Sequence, residues 1–168
     1  MLELVRDFVN TYDVENDADR LDLPQALTAW LHERALIAPG DTATPGDLTT
    51  ARTLREALRA ALRRDGTAPE PPELPLTIRF GATPRPVPIE GGVRGALAAI
   101  AAATVDPGWN RLKVCAEESC EWAFIDHSKN RSRSWCSMKV CGNRTKTRAY
   151  RARKHGSRHP QGSNTDTV

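Results

Sequence analysis

Apolar residues recur at helical spacing through most of the first hundred positions, which predicts a mainly helical N-terminal region. Residues 2–12 form one such helix, with Leu4 or Val5, Phe8 or Val9, and Tyr12 recurring at helical spacing. Residues 13–22 are polar and acidic and read as a loop. Residues 24–36 form a second helix with Leu23, Leu27, Trp30 and Leu31 on one side, ended by Pro39-Gly40. Thr44-Pro45-Gly46-Asp47 is a strong start signal: Thr44 can cap, Pro45 suits the first helical position, and Asp47 complements the positive helix end. A third helix follows to about Arg64, with Leu48, Ala51, Leu54, Leu58 and Leu62 inward. Beyond a proline-rich stretch, residues 76–80 and 85–89 alternate as two strands around Gly81-Ala82-Thr83-Pro84, a short β-hairpin. Residues 93–104 form a small-residue helix, and Asp106-Pro107-Gly108 marks a boundary.

After that boundary the pattern turns to short strands, at residues 111–114 and 122–126, and then to a polar helix. Charge changes sign at the same place. Residues 1–110 hold 11 Lys and Arg against 16 Asp and Glu, a balance of −5, whereas residues 111–159 hold 13 against 4, a balance of +9. Two modules with different partners are expected, at residues 1–107 and 109–155, with a disordered tail over 156–168. No apolar run approaches the roughly 18–20 residues of a membrane span. The start of the chain lacks a signal peptide's basic residues and cleavage site, so a cytoplasmic location is expected and no membrane partner.

All four cysteines lie in the basic half: Cys115-x4-Cys120, fifteen residues, then Cys136-x4-Cys141. Two thiol pairs brought face to face are what one tetrahedral Zn²⁺ ion requires, and a reducing cytosol favours metal over disulfides. Two disulfides or an Fe–S cluster are the alternatives, and His127, between the pairs, is an alternative ligand. Ser137 is placed to cap a helix that carries Cys141 in its first turns, the treble-clef arrangement. Trp122, Phe124 and Trp135 are candidates for a core too small to stand without metal. A site closed by four thiolates leaves no position for water, and neither a Ser-His-Asp set nor a phosphate-binding glycine loop is present, so no enzyme is expected.

Arg144, Arg148, Arg151 and His155 share one helix face, flanked by Lys146, Arg153 and Lys154. Such a face suits double-stranded DNA, with Asn143 and Arg144 reading bases and Asn130 and Arg131 touching phosphate. RNA binding, protein docking, a solvated cationic face and a purely structural Asn143 are the competing readings. In the N-terminal half, Asp7, Asn10, Arg52 and Arg55 could line a pocket for an anion or metabolite; the competing reading is a buried network in which Asp7 or Glu56 pairs with the arginines.

The run Cys136-Ser-Met-Lys-Val-Cys141-Gly142-Asn143-Arg144, with Trp122-x-Phe124-x-Asp126-His127-Ser128-x-Asn130-Arg131 upstream, closely resembles the CGNR zinc finger family. Residues 7–11, Ala29-Trp30-Leu31 and the helix from Ala51 to Leu58 resemble the ABATE domain that accompanies this finger. The resemblance implies an α+β protein: a mainly helical ABATE-like domain with a short hairpin, then a four-cysteine finger. It further implies a stress-responsive transcription regulator, with the finger on DNA and the ABATE domain sensing an unknown small-molecule effector.

Overall fold

The computed structural model describes residues 1–64 and 70–156, so the expectation of a disordered tail falls outside the described residues. Helix α1 (Leu2–Val9) is followed by a minimal hairpin, β1 (Tyr12–Asp13) and β2 (Ala18–Asp19), then α2 (Pro24–His32) and α3 (Pro45–Arg63). The hairpin β3 (Leu76–Arg79) and β4 (Arg85–Pro88) precedes α4 (Gly92–Ala102). Short 3-10 turns at Ala103–Val105 and Trp109–Arg111 lead to β5 (Leu112–Val114) and β6 (Ala123–Ile125), a one-turn π-helix (Met138–Gly142) and α5 (Asn143–Gly156). Three separate two-stranded antiparallel sheets result.

Two helices end earlier than periodicity predicts. The first stops at Val9 because the Asn10 side chain is committed elsewhere and the chain turns into β1, pairing Tyr12 with Asp19 and Asp13 with Ala18. Residues 13–22 are therefore a hairpin rather than a plain loop: Asp13 Oδ1 accepts from the Glu15 and Asn16 N–H groups, and Asp17 takes the left-handed conformation. The second helix stops at His32, and Ala35 at φ 51° ends the turn that follows. The third starts as expected, with a complete capping box: Thr44 accepts from Asp47 N–H, and Asp47 accepts from Thr44 N–H.

One apolar cluster joins α1, α2, α3 and α4, built on Val5, Phe8, Leu27, Leu31, Leu54, Leu58, Leu97 and Ile100. Phe8 and Trp30 pack ring against ring, centroids 5.5 Å apart, inside it. Leu112, Ala123 and Ile125 of β5 and β6 belong to the same cluster. The boundary at residues 106–108 is thus a bend over a continuous core. Gly108 sits where a Cβ would lie 2.8 Å from the Leu2 side chain and 3.0 Å from Asp106 Oδ1, so a side chain there would make those two side chains shift. Trp122, expected inside, lies just before β6 and is exposed at 39%, whereas Phe124 is buried beneath Arg133 as expected.

Among the described residues no helix is long and apolar enough to cross a membrane.

Candidate metal centre and basic helix

The two cysteine loops are locked to each other before any ion is considered. Cys115 N–H donates to Trp122 O and Cys120 N–H to Glu117 O, closing the first loop. Ala116 N–H donates to Ser134 O, which draws the second loop alongside. The Cys136 N–H points at Cys115 Sγ, 3.5 Å away. Cys141 follows on the π-turn, whose start is capped by Ser137 Oγ accepting from Val140 N–H, as expected.

The four sulfurs lie within 4.8 Å of one another, and among the described residues they are the cysteine cluster able to hold a metal ion. Cys120 and Cys136, and Cys136 and Cys141, have sulfurs 3.7 Å apart. A zinc–sulfur bond of about 2.3 Å sets a tetrahedral edge of about 3.8 Å, whereas a disulfide needs about 2.05 Å. The cysteines are free, so the distances fit a four-thiolate ion and not two disulfides. Burial pushes the Cys120 thiol up to about 11 and Cys136 higher still. Burial also opposes ionisation of Cys115, but the Cys136 and Glu117 N–H groups outweigh it and hold that thiol low. A divalent cation supplies the charge that keeps such a group of sulfurs ionised together. His127 is exposed and outside the cluster.

Beneath the sulfurs lies a carboxylate that sequence reading missed. Glu117 is buried and meets three side chains at once. Its Oε1 accepts from Arg148 at 2.6 Å and Ser119 at 3.0 Å, and its Oε2 accepts from Thr145 at 3.0 Å. Trp135 Nε1 donates in turn to Thr145 Oγ1. The Arg148 guanidinium above all holds Glu117 down at about 2, against the opposing effect of burial. No motif marks Glu117; its position two residues after Cys115 was the signal available. A second buried carboxylate, Asp126, accepts from Lys113 Nζ at 2.8 Å and from the Ser128 and Arg133 N–H groups, which keeps it far below the usual carboxylate range and orders the turn at 127–133. Asn130 and Arg131 are exposed on that turn.

The tetrad has mixed duties. A Cβ on Gly142 would lie 2.5 Å from Met138 Sδ and 3.6 Å from the Trp135 ring, so the π-turn's own side chain packs over this glycine. Asn143 donates its amide to Lys139 O, filling a carbonyl where the π-turn passes into α5, which favours the structural reading. Arg144 bridges Ser119 Oγ at 3.2 Å and Glu15 Oε1 at 2.8 Å, 129 residues away in the β1–β2 hairpin. Arg144 and Arg148, placed on one outward face by spacing, therefore turn toward carboxylates. Lys146, Arg151, Arg153 and Lys154 are exposed, as is Tyr150, which lies between Lys146 and Lys154 at i, i+4, i+8.

The N-terminal candidates are each bonded to partners close by. Asp7 pairs with its neighbour Arg6 at 2.8 Å rather than with Arg52 or Arg55. Asn10 spends both ends of its amide on the backbone of Ala123. Arg52 donates to Leu21 O and Asp22 O, and Arg55 grips Asp19 through two bonds of 2.7 and 2.9 Å with Glu56 beside it. The buried network is the arrangement observed. Its centre is a residue not singled out from sequence: Arg59, 1% exposed, donates to Val9 O, Tyr12 O and Glu121 O, clasping α1, the small hairpin and the first cysteine loop.

Comparison with known families gives two matches along the chain. The CGNR zinc finger model matches residues 111–154. The ABATE model, described as "Putative stress-induced transcription regulator", matches residues 2–107. No curated protein matches the chain.

Proposed function

The chain belongs to the ABATE family and carries a CGNR zinc finger, and from that premise we propose that it regulates transcription by laying the outer face of α5 on double-stranded DNA. The finger is a treble clef in this reading, with one structural Zn²⁺ held by Cys115, Cys120, Cys136 and Cys141. The ion supplies folding energy and no open coordination position, which supports binding rather than catalysis. The reduced thiols suit a cytoplasmic protein.

The observation that carries the proposal is the two-sided use of α5. Its inner row, Arg144, Thr145 and Arg148, is tied to Glu15, Ser119 and Glu117, so the helix is held in a fixed direction. Its outer row keeps Lys146, Tyr150 and Lys154 exposed, beside Arg151 and Arg153. Phosphate binding then falls to Lys146, Arg151, Arg153 and Lys154, with Asn130 and Arg131 on the adjoining turn. Arg144 reaches a base only by leaving Glu15. An effector or stress signal acting on the N-terminal domain would reach the finger through side chains that span both halves, among them Asn10, Arg59 and Arg144.

Fluorescence anisotropy on a duplex library across 50–200 mM salt tests this. Removing one phosphate-binding cation should flatten the log–log salt slope by about 0.9, so Lys146→Ala with Lys154→Ala should flatten it by about 1.8. An unchanged slope removes the outer row from DNA binding. The exposed Tyr150 ring favours a second reading, RNA or single strands, since aromatic stacking serves unpaired bases. Tighter binding to single-stranded probes, abolished in Tyr150→Ala, would select it.

A further inference from the structure

The β3–β4 hairpin has two edges of opposite character. Its register pairs Leu76 with Pro88, Thr77 with Val87, Ile78 with Pro86 and Arg79 with Arg85. Ile89 N–H donates to Pro75 O, which fixes the alternation: Pro75, Thr77 and Arg79 face β4 with their backbone groups, and Leu76, Ile78 and Phe80 turn theirs away. On β4 the outward positions are Pro86 and Pro88, which lack N–H groups, so that edge cannot accept another strand. The β3 edge has no such guard. Its outward backbone belongs to three large apolar residues, exposed at 37%, 50% and 81%.

We propose that two copies of this chain join along β3, turning two hairpins into one four-stranded antiparallel sheet with a twofold axis at Ile78. The sequence of the edge is self-complementary in that register. With the axis at Ile78, Leu76 meets the other copy's Phe80, Ile78 meets its own counterpart, and Arg79 lies opposite Thr77. All outward N–H and C=O groups from 76, 78 and 80 find partners. Shifting the axis to Thr77 calls on Leu74, which already packs against the helical core, to meet Phe80, and shifting it to Arg79 sets two like charges directly opposite, which destabilises a strand pair. An unguarded apolar edge is otherwise an aggregation hazard, and closure by a twofold removes it.

The test is sedimentation equilibrium on the full zinc-loaded chain without nucleic acid, so that its outcome is independent of DNA binding. Wild type should sediment at twice the 18.5 kDa chain mass. Ile78→Lys sets two cations across the axis and should sediment as a single chain with an unchanged far-ultraviolet spectrum. Ile78→Lys mixed with Ile78→Glu should return the double mass as a heterodimer. A monomeric wild type, a dimeric Ile78→Lys protein, or a mixture that stays monomeric would each overturn the proposal.

Discussion

Asp19 illustrates how single side chains are set in this molecule. Burial pushes its carboxyl up, yet the bidentate Arg55 guanidinium and the Leu21 N–H outweigh that, and its pKa falls below the ordinary 3.8. A carboxylate with a depressed folded pKa stabilises above its unfolded value, and that stabilisation fades as pH falls through 3.8 toward the folded value. Asp19→Asn should therefore cost roughly 2 kcal/mol at pH 7, less than loss of a fully buried pair because Glu56 remains on Arg55. Urea denaturation should show the gap between wild type and variant narrowing as pH is lowered from about 5 to about 3. A gap independent of pH would mean that the Asp19 charge does not stabilise the fold.

Elements followed the sequence wherever a local signal was complete. The Thr44-Pro45-Gly46-Asp47 start formed the capping box it spells out, and Thr44→Ala should lower stability by about 1 kcal/mol in thermal or chemical denaturation, with the rest of α3 intact. The cysteine spacing foretold the sulfur cluster, because two short loops leave the pairs few places to go. Elements whose ends are set by tertiary bonds were not legible. Helix α1 stops where Asn10 is claimed by Ala123, a partner 113 residues on. The basic face read from helical spacing divides because Glu117 and Glu15 come in from other parts of the chain to take Arg148 and Arg144. Arg59 was hidden for a related reason: periodicity marks apolar positions, and an arginine buried to bind three carbonyls leaves no such mark.

At the scale of the whole molecule, the cysteine cluster and the helical core are one system. Leu112, Ala123 and Ile125 pack with α1 and α3, and Cys115 and Cys120 stand directly beside those strands. Chelation, or Cys141→Ser, is expected to do more than melt the finger. Amides of α1 and α3 should lose hydrogen-exchange protection along with β5 and β6, and the melting temperature of the entire chain should fall. Protection lost from residues 115–150 alone would show instead that the strands keep their place when the ion leaves.

That common core also decides what can be moved by cutting and splicing. A graft of residues 111–154 onto another scaffold would bring its four cysteines and its basic helix. It would equally bring a greasy underside of Leu112, Ala123 and Ile125, and a Glu121 carbonyl cut off from Arg59. The recognition unit worth transplanting includes the helices it was built against.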